Sequence, residues 1–337
     1  MPDSTPYYRH LCSCIILCVA CEPDALEPDV FEEDIDAAVD IELEARIGRR
    51  HQGILVNTGE INTDTELGRA FSPEFTKDRS FHEGHRLDAI WYTEYHFVDP
   101  ASLYLIDGEL FGVADGVGTI SGLDFDDTIW WVDELDDQGV LHYHDVVLDV
   151  DIDNNEYLYD FYWYVSDSIQ IPMCNAMGNG GSTSATILEN IAVDEALGTI
   201  SPAPGNLYLA CDAGAIGKAV ARGYHPDDHG TDVLQAAVRM IRADYCGDGN
   251  SWTAAGTELF SEEYREFVIT EALGLPGEVV PNTQLESFWT PHGAKCLSHR
   301  RYGNGIVTCE NSVLLFGCFD QSPFTDDALF RTEIFMP

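Results

Sequence analysis

The sequence predicts an α+β fold: a β-rich N-terminal domain followed by an α+β domain stapled by disulfides. Three observations predict it. Short apolar runs with a period near two, broken by Gly, Asp and Asn, fill residues 51–170. Beyond the acidic segment at 22–50, which could form a short helix but reads first as a tether, apolar stripes at helical spacing occur only after residue 210. Cysteines outside the N-terminal segment all lie beyond residue 170. The expected organisation is a signal peptide at 1–20, an acidic tether at 21–50, a β-rich domain at 51–170, a stapled domain at 171–320 and a tail at 321–337.

The N-terminal segment reads MPDSTPYYRHLCSCIILCVAC. Arg9 and His10 lead into an apolar stretch from Leu11 to Ala20, too short to span a bilayer and of the length of a signal-peptide core. Small Ala20 precedes Cys21, and the chain then turns acidic at Glu22 and Asp24. This pattern resembles a bacterial lipobox with Cys21 as the lipidated residue, although Cys18 stands where Leu is usual and Asp3 offsets Arg9. The expected location is therefore outside the cytoplasm, lipid-anchored in the cell envelope or secreted.

With Cys12, Cys14, Cys18 and Cys21 assigned to the leader and anchor, six cysteines remain: Cys174, Cys211, Cys246, Cys296, Cys309 and Cys318. An even set in an exported chain implies a disulfide framework whose connectivity the sequence leaves open. Zinc held by Cys296, His299, Cys309 and Cys318 is the competing reading, but the last two cysteines lack paired spacing.

In the β-rich region the clearest unit is a hairpin. Leu148, Val150 and Ile152 alternate with Asp149, Asp151 and Asp153; Asn154-Asn155 supply a turn that tolerates left-handed backbone; Tyr157, Tyr159, Phe161, Trp163 and Val165 return along one face. Three helices are expected further on. Residues 213–224 have Ile216 and Val220 on one face. Residues 231–245 carry a stripe of Val233, Leu234, Ala237, Val238 and Ile241, with Thr231 as cap. Residues 261–274 start at Ser261 and stop at Gly274.

Charge narrows the partners. Fifty-nine acidic residues face seventeen basic ones, a formal charge of −42, and only Lys77, Lys218 and Lys295 are lysines. Such a chain repels phosphate backbones, so nucleic acid is excluded as a partner, and contact with a membrane is expected through the lipid anchor only. Spread along the chain without a like-charged block, the carboxylates read as a solvated surface.

The segment ACDAGAIGKAVARGYHP…LQAAVRMIRADYCGDGNSWTAAGTEL resembles the ADYC domain family. Its motif is Ala243-Asp244-Tyr245-Cys246, preceded by Arg242 and followed by Gly247-Asp248-Gly249, and WTPHGAKCLSHRRYG is similar to a second family block. The resemblance covers about residues 165–320 and implies an exported bacterial protein with no established activity. Relatives tend to carry cysteines where this chain has Ala219 and Ala237, and often a His where it has Trp252 after Ser251.

Each chemical candidate competes with a structural role. Asp244 and Asp248 could serve as acid and base or hold calcium; alternatively Asp244 pairs with Arg239 or Arg242, Asp248 organises a turn and Cys246 is a staple. Asp149, Asp151 and Asp153 with Glu156 could gather calcium, but lack the spacing of an EF-hand loop. His142-x-His144 and His82-Glu83-Gly84-His85 lack a third ligand at diagnostic spacing, and His225 and His229 sit in a polar loop. No nucleophile elbow, phosphate loop or zinc-protease motif is present. The expectation is a non-catalytic envelope-associated lipoprotein, structural or recognising a partner, needing no cofactor or metal. The alternatives are an extracytoplasmic hydrolase working through Asp244 and Asp248, and a calcium-dependent binding module.

Overall fold

The computed structural model describes residues 54–56, 58 and 60–62, most of 74–253, and residues 258–263, 283–301, 306–309, 314–318 and 328–335. The signal peptide, Cys21, the acidic tether, the Asn154-Asn155 turn and residues 264–274 lie outside the described residues.

Among the described residues strand accounts for 51%, against three short helices, so the fold is a β-rich, curled antiparallel half-barrel rather than α+β. In chain order the strands are β1 (Ile54–Val56), β2 (Glu74–Thr76), β3 (His85–Thr93), β4 (His96–Val98), β5 (Tyr104–Ile106), β6 (Glu109–Ala114), β7 (Gly118–Ser121), β8 (Thr128–Leu135), β9 (Leu141–Asp153), β10 (Glu156–Ser166), β11 (Ile169–Pro172), β12 (Ala185–Asp194) and β13 (Thr199–Cys211). Helices α1 (Ala215–Val220), α2 (Pro226–His229) and α3 (Thr231–Arg242) follow, then β14 (Glu258–Glu263), β15 (Thr283–Thr290), β16 (Gly293–Leu297) and β17 (Phe330–Phe335).

The large sheet has the order β2-β13-β12-β10-β9-β8-β3-β4-β6-β5, with β11 on β10 and β7 on β6. The expected hairpin is its centre: Asp153 pairs with Glu156, and Val150 and Leu148 face Tyr159 and Phe161 across the ladder. One face of this sheet closes on a core of Leu87, Ile90, Trp130, Leu148, Tyr159 and Phe161, with Ile187 and Leu209 contributed from beyond residue 171.

The second sheet has the order β1-β14-β17-β15-β16. Helix α3 lies between it and the outer side of β12 and β13. Leu234, Val238 and Ile241 share a core with Leu188, Tyr208 and Ala210 of the large sheet and with Trp289 and Phe330 of the small one. Buried on both sides, α3 carries polar groups that serve the β12–β13 turn. Gln235 accepts from the Ile200 N–H and donates to Gly198 O at 2.6 Å, and Arg239 donates to Leu197 O at 2.8 Å.

Several sequence expectations change for physical reasons. Strands β12 and β13 bury side chains on both faces, so they lack the alternation that marks a half-exposed strand. The helix expected from Ser261 gives way to pairing, because Ser261 to Glu263 complete β14 against β17. Residues 330–335, expected in a tail, form β17 between β14 and β15. Gly230, not Thr231, caps α3, with φ 81°.

The half-barrel is held near its ends by side chains. Glu189 of β12 accepts from Lys77, just past β2, and from the Leu105 N–H of edge strand β5 at 3.0 Å. Lys77 also donates to Leu103 O at 2.6 Å. An edge strand presents unpaired backbone groups, and this pair covers one on β5, the Leu105 N–H, and one just before it, the Leu103 carbonyl. Glu189→Ala is expected to lower unfolding stability by about 3 kcal/mol, because it strands a nearly buried ammonium. Lys77→Met/Glu189→Leu should recover most of that loss. Chemical denaturation of the three proteins checks both outcomes.

Candidate functional site

The RADYCGDG segment begins where α3 ends. Ala243 takes left-handed backbone, φ 52° and ψ 41°. Its N–H bonds to Met240 O at 3.2 Å, and the Asp244 N–H reaches back to Arg239 O at 2.9 Å. This is a Schellman-type stop, in which an apolar contact usually joins the residue after the left-handed position to the one five before it. Here an ion pair between Asp244 and Arg239 takes that place, both side chains being nearly inaccessible.

The remaining capacity of Asp244 is used by the following turn. Its Oδ1 accepts from the Asp248 N–H at 3.1 Å and its Oδ2 from the Gly249 N–H at 2.9 Å. Arg242 donates to Gly249 O at 2.7 Å, and Ser251 Oγ to Arg242 O at 2.8 Å, so the loop folds back over the helix end. Burial pushes the Arg242 guanidinium below its ordinary value, and the Asp244 charge opposes that shift. Both glycines are required by space as well as backbone. At Gly247, φ 67°, an added Cβ would lie 2.1 Å from His292 O; at Gly249, φ 87°, it would lie 2.3 Å from Ala196 O.

Tyr245 points into the core shared with β15. Its ring stacks on Trp289 at 5.4 Å, and its hydroxyl donates to Glu286 Oε1 at 2.7 Å. Glu286 is fully buried and also accepts from Arg301 through Nε at 2.6 Å and NH2 at 2.9 Å, and from Thr332 Oγ1 at 2.7 Å. Burial, then the Glu286 charge, raise the Tyr245 phenol far above its ordinary value, so it remains a donor. Arg301 donates further to Ile241 O at 3.1 Å. Cys246 then bonds to Cys309, while Cys174 bonds to Cys211 and Cys296 to Cys318. These bridges replace the zinc reading of Cys296, His299, Cys309 and Cys318.

A family model described as the ADYC domain matches residues 122–303. The chain belongs to the ADYC domain family. No curated protein and no solved structure matches it. The four letters of the ADYC motif have distinct physical duties here. Alanine takes the left-handed stop, aspartate neutralises an arginine of the helix and collects the turn's N–H groups, tyrosine binds the second sheet, and cysteine fixes the loop. The matched range starts at the 3₁₀ turn Gly122–Phe125, ahead of β8, and thus includes both the half-barrel's central strands and the motif.

The other sequence candidates are dispersed. His142 Nε2 lies 3.1 Å from Asp136 and His144 Nε2 2.7 Å from Glu134, on strand β9. His82 lies 3.4 Å from Glu74, and His225 3.5 Å from Asp227. Asp149 stands opposite Asp160 of β10. Partial burial, then the charges of Asp126, Asp127 and Asp160, hold its carboxyl above the ordinary range. Among the described residues no group of three or more His, Cys, Asp or Glu is placed to hold a metal. Sequence reasoning missed Glu286, Arg301 and Thr332; the signal for them was one acidic residue among the apolar Leu285, Phe288 and Trp289 of QLESFW.

Asp244→Asn keeps the shape but removes the charge that balances two buried arginines, and should cost about 3 kcal/mol. Asp248→Asn, whose Oδ1 accepts only from the Asn250 N–H at 3.0 Å among the described bonds, should stay within about 0.5 kcal/mol of the parent. Urea unfolding distinguishes the two. A second expectation concerns pH. A carboxyl raised in the folded state weakens folding once it ionises, so Asp149→Asn should raise Tm at pH 7 and lose that gain below about pH 4. A Tm series across this range checks it.

Proposed function

We propose that this protein is a non-catalytic, extracytoplasmic lipoprotein of the cell envelope, anchored through Cys21, whose ADYC domain serves structure or recognition. The observation that carries this reading is the internal saturation of the motif. Both carboxylate oxygens of Asp244 and both of Glu286 are engaged by donors of the fold, which leaves the motif's buried acids spent on architecture. A general base must be within reach of a substrate proton, and Asp244 is sealed beneath the arginines of α3 and the Gly-Asp-Gly turn. The hydrolase alternative at Asp244 and Asp248 therefore loses its chief residue.

Three disulfides are consistent with an oxidising, extracytoplasmic compartment. Closing loops of 22 to 63 residues, they restrict the unfolded chain in a region where helices are short. Each is worth about 3–4 kcal/mol in a chain-entropy account. The lipobox-like Ala20-Cys21 supports the anchor.

Intact mass of the protein from a bacterial envelope, alkylated with and without prior reduction, tests this reading. The expected result is an acylated N-terminal Cys21 and six thiols that label only after reduction. An unprocessed chain, or thiols that label freely, would refute it, and turnover of a glycan or peptide library by the metal-replete protein would refute its non-catalytic part.

A further inference from the structure

One side of the large sheet is turned away from the half-barrel core, and an apolar row crosses it. Ile90, Val98, Trp130, Val146, Leu148 and Phe161 are buried in the core. Their strand neighbours therefore point outward. Phe97 of β4 pairs with Trp91 of β3, Trp91 with Ile129 of β8, Ile129 with Val147 of β9, and Val147 with Tyr162 of β10. The row thus crosses five strands, about 19 Å at the usual spacing between neighbours. None of these residues belongs to either buried core; Phe97 is 40% exposed and the others are half-buried. Trp131, beside the row, completes an aromatic cluster with Trp91 and Phe97, ring centroids lying 5.6–6.4 Å apart.

Acids flank this row on both sides, one outward step along the strands, or about 7 Å, away. On one side Asp145 pairs with Trp131; on the other Asp149 pairs with Asp160. Asp145 and Asp149 are exposed, and among the described residues neither has a hydrogen-bond or ion-pair partner. Like charges crowd around Asp149: after partial burial, the charges of Asp126, Asp127 and Asp160 are what raise its carboxyl. The nearby bases are engaged, Arg86 by Asp133 at 2.6 Å and His96 Nδ1 at 2.6 Å from Asp115 O. The outward side therefore combines an aromatic, apolar centre with margins of free acceptors.

We propose that this row is a docking surface for a segment of a protein partner whose apolar side chains are flanked by lysine or arginine. An aromatic, apolar centre inside a charged rim is the anatomy of a protein interface. Here the centre is one side chain wide, so it suits a single chain segment rather than a broad globular face. Ionised carboxylates only accept hydrogen bonds, so the occupant must bring donors to both margins. Ammonium and guanidinium groups do this while relieving the repulsion around Asp149, and they can also lie over exposed aromatic rings. Anionic headgroups and nucleic acid are repelled, and a second copy of the chain would bring the same acids against these. The inference rests on the proposed recognition role and names the chemistry of what is recognised.

The test uses the full chain with Cys21→Ser, to remove acylation, and derivatives of it. These are Phe97→Ala, Asp145→Asn/Asp149→Asn and, as a control of equal charge change, Asp227→Asn/Asp228→Asn on α2. Each is shown by thiol counting to retain three disulfides and by melting to be folded. Calorimetry measures binding of Leu/Lys peptides of one composition, in helical-period, alternating and random order, and of cello-oligosaccharides. The expected result is that an ordered peptide binds more tightly than the random one. Its affinity should fall about tenfold in Phe97→Ala and in Asp145→Asn/Asp149→Asn, and stay unchanged in the control. Equal weakening by both Asn pairs overturns the proposal, because net charge alone is then being read. No peptide binding, or equal affinity for ordered and random peptides, overturns it as well; binding of the oligosaccharide alone overturns it by making the row a glycan platform. None of these outcomes alters acylation or disulfide content in the envelope, so failure here is distinct from failure of the lipoprotein reading.

Discussion

The Glu286 carboxylate is the interaction on which the architecture around the motif depends. A charge removed from water needs compensation from several donors, and Glu286 obtains it from parts of the chain that are remote in sequence: Tyr245 after α3, Arg301 after β16 and Thr332 of β17. Thr332 also accepts from the Trp289 indole at 2.8 Å, which carries the network across β15. Loss of any donor leaves part of a buried anion unserved, so helix end, second sheet and crossing loop stand or fall together. Such a network rigidifies when complete and is costly when incomplete.

A second constraint is that β12 and β13 are shared. Their inner side chains belong to the half-barrel core, their outer ones to the core around α3. The two cores therefore have no independent boundary along these strands, and Cys174–Cys211 ties β13 to the segment after β11. Gln235 and Arg239 make the helix a partner of the intervening turn as well as an apolar wedge.

How much could be read from the sequence follows from these arrangements. The β9–β10 hairpin was legible because one side faces the core and the other meets solvent, giving strict alternation of Leu148 and Val150 with Asp149 and Asp151. The disulfide set was legible from an even count, and Asp244's pairing from nearby arginines. The class was not: strands apolar on both faces, such as LYLAC at 207–211, carry no period, and a helix start at Ser261 was outweighed by a ladder partner 71 residues away at Thr332. Glu286 was illegible because its meaning lies in residues that only the fold brings near.

The placement of β2 has a consequence for the order of assembly. Phe75 pairs with Leu207, and Lys77 needs Glu189, while β3 to β10 find partners among themselves. A chain emerging N-terminus first thus carries β2 for well over one hundred residues before its neighbour exists. Contacts so distant in sequence form slowly. Through that interval the nascent sheet has a bare rim, and its dense negative charge is what keeps one unfinished molecule from adding to another.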